Sequence, residues 1–259
     1  MILLLDIGNT HTHVGLANGN RVLRHTNLPT PSWFDDGAPP RLARFVGRHR
    51  LTGAAVCSVV PTATAPVIAT VQKRWQLAPV VLTHATVRGV GINYPHPETI
   101  GPDRLANAVA ARHEFGAPAI VIDFGTAVTF DIVDRHGDYV GGIIAPGLSA
   151  MTDYLHEKTA LLPRIRIRET RAVIGRNTEQ AMLIGAVHGY RGLIHALLHA
   201  LRRALATPRL PVIATGGYAR LIAARLPTIT AIRPLLTLEG LRLTWQAHHP
   251  IRPSTPPHS

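Results

Sequence analysis

Two short carboxylate turns carry the first chemistry that this sequence suggests. Asp6-Ile7-Gly8-Asn9-Thr10 and Asp123-Phe124-Gly125-Thr126 each end an apolar run in Asp-x-Gly followed by Asn or Thr. Glycine lets backbone come close to an anion, and Asn9 and Thr10 add hydrogen-bond donors. A carboxylate such as Asp6 suits a magnesium ion met through water, as a hard oxygen ligand should. The second turn offers the same geometry for closing on a nucleotide from an opposite domain. Phosphate chemistry is what such a pair could do. The chain has neither Gly-x-x-x-x-Gly-Lys-[Ser/Thr] nor Gly-x-Gly-x-x-Gly, so a P-loop and a Rossmann fingerprint are both excluded.

Other polar residues have plainer readings when taken alone. Asp103 stands where a helix N-cap should stand, and Thr178 opens a helix with Glu179 in its first turn. Arg104 reads as a surface arginine, although a guanidinium suits an anionic, amide-bearing substrate. Tyr94, between Asn93 and Pro95, reads as loop packing. His11 and His13 have no partner set that would hold zinc, and no transition-metal site is expected.

The elements that must position these groups show a repeat. Residues 2–19 and 119–136 both run from an apolar strand through Asp-x-Gly into a second apolar-rich strand and a polar turn. A threonine follows each Asp by six positions, at Thr12 and Thr129. The pattern is that of a duplicated domain, each copy opening with a β-hairpin. Around it, strands are predicted at 54–60, 79–83, 139–145 and 211–215. Helices are predicted at 62–75, 103–115 and 148–160, with a long or broken helix over 178–206 and two shorter ones after residue 217. The alternation Arg164-Ile165-Arg166-Ile167-Arg168 predicts a strand with one solvated arginine face. The boundary is expected near 116–117, giving domains 1–116 and 117–249 and a disordered tail over 250–259.

Composition sets the outer limits. The 259 residues are 46% hydrophobic and 16% charged, which describes a folded chain with a sizeable core. No apolar stretch approaches the roughly 20 residues of a membrane span, and no membrane association is expected. The single cysteine, Cys57, points to a reducing compartment, hence the cytoplasm. The formal charge of +12 comes almost wholly from arginine and would attract phosphates or an acidic metabolite. Without zinc-finger spacing or an aromatic ribonucleoprotein signature, it does not point to a nucleic-acid partner.

The order of motifs resembles the type III pantothenate kinases, within the acetate and sugar kinase/Hsp70/actin superfamily. It runs from Asp6-Ile7-Gly8-Asn9-Thr10 through Gly101-Pro102-Asp103-Arg104, Asp123-Phe124-Gly125-Thr126-Ala127 and Gly141-Gly142 with Pro146-Gly147. It continues through Gly175-Arg176-Asn177-Thr178-Glu179 and Thr215-Gly216-Gly217 to Leu236-Thr237-Leu238-Glu239-Gly240-Leu241. The resemblance implies an α/β fold of two ribonuclease-H-like, actin-like ATPase domains with an ATP cleft between them. It implies transfer of the ATP γ-phosphate to the primary hydroxyl of pantothenate by a homodimer.

By position, Asp6, Ile7, Gly8, Asn9, Thr10, His11, Thr12 and His13 match the first phosphate loop, and Thr126 a second ATP contact. Asp103 matches the catalytic base. Tyr94, Gly101, Pro102, Asp103, Arg104 and Thr178 match pantothenate positions. Asp123 matches the ligand of a required potassium or ammonium ion. Pro102 departs from the alanine that the family often carries there. The alternatives are a kinase of the same superfamily with another small substrate, and a non-catalytic regulator of the accessory transcription factor type.

Overall fold

The computed structural model describes residues 1–207 and 210–250 of the chain. The chain forms two compact units. The first contains Met1–Gly91, His96–Ala110 and the chain from Thr237; the second contains Ile92–Pro95 and Ala111–Leu236.

The first unit is built on β1 (Ile2–Ile7), whose Leu3, Leu4 and Leu5 are fully buried. Such a continuous apolar run is what a strand covered on both faces requires. β2 (His11–Ala17) returns antiparallel to β1 and β3 (Val22–Pro29) returns antiparallel to β2. A short 3-10 turn, Thr30–Trp33, leads to α1 (Ala38–Val46). β4 (Gly53–Ser58) lies parallel to β1 on its other side, α2 (Pro61–Trp75) follows, and β5 (Val80–Val81) extends the sheet. The order is β3-β2-β1-β4-β5. On one face Leu3, Leu5 and Ile7 pack with Trp33, Leu42 and Val67. The alternation of a strand sends Leu4 and Asp6 to the other face.

After β6 (Gly91–Ile92), α3 (Pro102–Phe115) leads to the second sheet. Its hairpin strands are β7 (Ala119–Phe124), β8 (Ala127–Val133) and β9 (Asp138–Pro146). α4 (Leu148–Lys158), α5 (Thr178–Ile184), a π turn at Gly185–Gly189 and α6 (Tyr190–Leu205) come next. β10 (Val212–Thr215), α7 (Ala219–Ala223) and β11 (Ala231–Ile232) complete it. The order is β11-β10-β7-β8-β9-β6. Both sheets thus have one plan: a central strand, an antiparallel hairpin on one side and parallel strands on the other. α8 (Leu236–His248) groups from Thr237 onward with the first unit rather than the second. There Thr237 Oγ1 donates to Asn107 Oδ1 of α3 at 2.8 Å.

Four expectations change. Thr12 and Thr129 are not equivalent: Asp123 pairs with Thr129, whereas Asp6 pairs with His13 and Thr12 pairs with Ile7. The first turn is one residue longer, and a one-residue shift of register moves a side chain to the opposite face. Arg164–Arg168 is not a strand. Its arginines are exposed and Ile167 packs against the second core, but the segment pairs with no other strand among the described residues. Asp103 is the second residue of α3, not its N-cap; Gly101 precedes the helix and its carbonyl accepts from the N–H groups of Arg104 and Leu105 at 3.0 and 3.3 Å. Lastly, the stretch Thr178–Leu205 is long and apolar enough to cross a membrane, because the π turn joins two helices without a break. Within the second unit its Val187, Ile194 and Leu198 are buried in the fold. The tail expected to be disordered lies, from residue 251, outside the described residues.

Candidate active site

Asp6 ends β1 between two strands, opposite His13 of β2 and Cys57 of β4. Cys57 Sγ donates to Asp6 Oδ1 at 3.3 Å. Burial, and next the charge of Asp103, push the Asp6 carboxyl up to about 7, with the thiol hydrogen bond opposing them. Burial, followed by the neighbouring Asp6 and Asp103 charges, raises the thiol well above its ordinary value, so it stays a donor. Asp6 and Asp103 both act on this thiol, the first through a hydrogen bond and the second through its charge. A buried carboxylate of this kind fits a hard divalent cation, which would take the place of the proton on Asp6.

The turn beyond Asp6 is closed by a hydrogen bond from the Gly8 N–H to the His11 carbonyl at 3.0 Å. Asn9 and Thr10 are exposed at its tip, and His11 and His13 project from β2 with ring centroids 6.5 Å apart. His13 Nδ1 lies 2.8 Å from Asn27 Oδ1. Ile7 and Thr12 are fully buried, so their side chains serve the turn from the core.

Asp103 lies in the first turn of α3, and its charge raises the Asp6 carboxyl. Its Oδ1 accepts from the Arg104 N–H at 2.9 Å. Burial raises its carboxyl above the ordinary value, against the Arg104 N–H and guanidinium, which lower it. A carboxylate made more basic in this way is better suited to take a proton. A Cβ on Gly101 would stand 2.6 Å from Asp103 Oδ1, so glycine there leaves the carboxylate its place.

In the second unit, Asp123 occupies the matching position on β7, opposite Thr129 of β8 and Thr215 of β10. Gly216 has φ +89°, and a Cβ on it would lie 2.4 Å from Asp123 Oδ1. Glycine therefore lets this backbone approach the carboxylate closely. The turn at Gly125 and Thr126 closes through Gly125 N–H to the Ala127 carbonyl at 3.1 Å, and the Thr126 carbonyl accepts from the Gly147 N–H at 3.1 Å. Tyr94 meets Tyr139 edge-on, centroids 6.1 Å apart. Thr178 is the first residue of α5, whose N-cap is Asn177: its side chain accepts from the Gln180 N–H at 2.9 Å.

Residues 159–177, which lead to Thr178, form neither helix nor strand. Buried Arg191 fastens them. Its Nη1 and Nη2 donate to the two oxygens of Glu169 at 3.0 and 2.7 Å, and Nη2 also donates to the Leu221 carbonyl at 2.6 Å. These hydrogen bonds hold the Glu169 carboxyl below its ordinary value. A depressed carboxylate contributes stability above its unfolded pKa and loses it as pH falls through the folded value. Glu169 is 40% exposed, so the effect on global stability is small. We expect the protection factors of amides in 159–177, corrected for the pH dependence of intrinsic exchange, to fall as pH drops below the ordinary carboxylate range and before the protein unfolds. Glu169→Gln should exchange faster at neutral pH and respond less to acid; an acid response equal to that of the unchanged protein would refute the clamp.

Sequence reasoning did not single out Cys57 as a partner of Asp6, nor Thr30 and Trp33, which stand behind the phosphate turn. Each meets it through strand pairing or the 3-10 turn, over separations of 18 to 51 residues.

The two mixed sheets, each with a central strand ending in Asp-x-Gly, define the actin-like ATPase fold. Among solved structures, the fold is similar to an inorganic polyphosphate/ATP-glucomannokinase from Arthrobacter sp. strain KM. Its TM-score is 0.52 at 15% identity, covering 96% of this chain and 99% of that one. A Campylobacter jejuni protein described as of the Baf family of transcriptional activators gives TM-score 0.63 at 18% identity, covering 96% and 100%. A family model of type III pantothenate kinases matches residues 2–200. A type III pantothenate kinase of Methylacidiphilum infernorum is 42% identical over 247 residues, 93% of this chain and 87% of the relative. One of Akkermansia muciniphila is 45% identical over 242 residues, 93% and 96%. The chain belongs to the type III pantothenate kinase family.

Proposed function

We propose that this protein transfers the γ-phosphate of ATP to the primary hydroxyl of pantothenate, giving 4'-phosphopantothenate, the first step of coenzyme A biosynthesis, in the cytoplasm. The observation that carries this reading is the buried Asp6 at the root of the Gly8–Thr10 turn, whose carboxyl is raised by its burial and by the charge of Asp103. Two carboxylates there have distinct tasks.

Asp103 accepts the hydroxyl proton as the oxygen attacks phosphorus. The exposed turn residues Asn9 and Thr10 face the phosphates, and Thr126 serves as a further ATP contact. Asp6 is the residue that would hold magnesium, through water; the ion supplies neutralisation of phosphate charge. Arg104 pairs with the pantothenate carboxylate, and Tyr94, Gly101, Pro102 and Thr178 complete its contacts. In phosphoryl transfer, positioning and charge stabilisation carry most of the catalysis, so these tasks suffice.

Asp123 is the ligand of a potassium or ammonium ion. A carboxylate at a strand end, with the Gly216 backbone closed on it, is favoured by a compensating charge. The working form is a homodimer: on the second unit Ile144, Tyr154, Leu161, Val173 and Ile174 are apolar residues 61–88% exposed, and their burial against a second copy is favourable.

The test is a phosphopantothenate assay on purified protein, with potassium and with sodium alone. Product is expected with potassium and little with sodium, and Asp123→Ala is expected to lose both the dependence and most of the activity. Equal rates in the two buffers would sink the cation assignment. Absence of product under all conditions would sink the activity itself.

A further inference from the structure

Behind the phosphate turn lies a chain of hydrogen bonds whose direction is fixed by proton count. Thr30 Oγ1 donates to the Gly8 carbonyl at 2.6 Å. A hydroxyl has one proton, and a carbonyl can only accept. The 3.1 Å contact between Thr12 Oγ1 and Thr30 Oγ1 must therefore be donated by Thr12. Thr12 in turn accepts from Trp33 Nε1–H at 2.9 Å. The order is Trp33 to Thr12 to Thr30 to Gly8, and the three side chains are at most 3% exposed. Thr30 holds the turn a second time, its N–H donating to the Thr10 carbonyl at 3.0 Å.

The consequence appears on the other side of the peptide. The Gly8–Asn9 bond is trans, so its C=O and N–H point in opposite directions. With the Gly8 carbonyl drawn inward by Thr30, the Asn9 N–H faces outward. Asn9 is exposed, and its N–H makes no hydrogen bond among the described residues. An outward, preset N–H on a turn is an anion donor that needs no reorganisation when the anion arrives.

We propose that Thr30, oriented by Thr12 and Trp33, is the positioning residue of the phosphate turn and sets the Asn9 N–H toward an ATP phosphate. This rests on reading the turn as the phosphate site. Thr12 then acts through Thr30 rather than by touching nucleotide, which agrees with its complete burial. A hydrogen-bond chain polarises along its length, so Trp33 strengthens the final bond from a distance.

The test is MgATP affinity by calorimetry without pantothenate, alongside KM for each substrate and melting temperature. Thr30→Val keeps the shape and removes the hydroxyl. It is expected to weaken MgATP binding about three- to tenfold and leave the pantothenate KM unchanged. Thr30→Ser, which keeps the donor, should restore the affinity. Trp33→Phe removes the first donor together with part of the buried ring, and should weaken MgATP binding about twofold. A lowered melting temperature with unchanged MgATP affinity in Thr30→Val, or in Trp33→Phe should Thr30→Val not fold, overturns the proposal. If the unsubstituted protein fails to bind MgATP, the phosphate-site reading falls first; if it binds and the variants bind equally well, only the role of Thr30 falls.

Discussion

Asp103→Asn is expected to lower kcat by roughly 10²–10⁴-fold, the usual range for loss of a general base, while the protein stays folded. The carboxylate is the proton acceptor in the proposed reaction, and an amide oxygen of the same shape is too weakly basic to replace it. The fold has little reason to notice. Asparagine keeps an oxygen where Asp103 Oδ1 accepts the Arg104 N–H, and the carbonyl of Gly101 still receives the first helical hydrogen bonds. Losing a negative charge from the first turn of α3 costs at most about 1 kcal/mol. Relief of the burial penalty that raises the carboxyl works in the opposite direction. Affinity for MgATP should persist, because the carboxylate's task begins with proton removal. Measuring kcat and melting temperature separates this from a structural role. A structural Asp103 predicts near-normal kcat in Asp103→Asn and a stability loss of about 1 kcal/mol in Asp103→Ala, where the hydrogen bond disappears. Full activity in Asp103→Asn would leave the mechanism without its base.

The parts of this design that could be read from sequence are those in which chemistry and periodicity lie within one short segment. β1 and β7 announce themselves as unbroken apolar runs ending in Asp-x-Gly, and both turns fall where the runs stop. β3 gives no such sign, because an edge strand bearing Arg24, His25 and Asn27 in the open has no buried stripe to betray it. Arg164–Arg168 misleads for the converse reason: its alternation records one exposed side, and an extended segment produces that without any ladder. The threonines at 12 and 129 show how fine the limit is. Equal spacing from Asp suggests equal roles, yet one extra residue in the first turn sends Thr12 into the core. Cys57 and Thr30 were illegible because nothing local marks them. Each becomes a neighbour of the site only when a parallel strand or a 3-10 turn brings distant chain alongside.

Asp6→Asn should cut kcat/KM for MgATP by roughly 10³-fold, since handling of the phosphate-bound metal contributes several kcal/mol to such a reaction. Its effect on stability should have the opposite sign. In metal-free buffer the ionised Asp6 is opposed by its burial and by the nearby Asp103 charge, which together push its carboxyl up to about 7. The neutral amide escapes both penalties and still offers an oxygen to the Cys57 thiol, which lies 3.3 Å from Oδ1. The metal-free variant is therefore expected to melt no lower than the unchanged protein, and its melting temperature should rise less when magnesium and ATP are added. A stabilised but inactive protein is a signature of a group retained for function at the expense of the fold. Two measurements decide it: melting curves with and without MgATP, and initial rates across a magnesium titration. If Asp6→Asn unfolds at lower temperature and loses activity only in proportion, Asp6 is a structural residue of β1. If it turns over normally, the first turn is not where phosphate and metal are held.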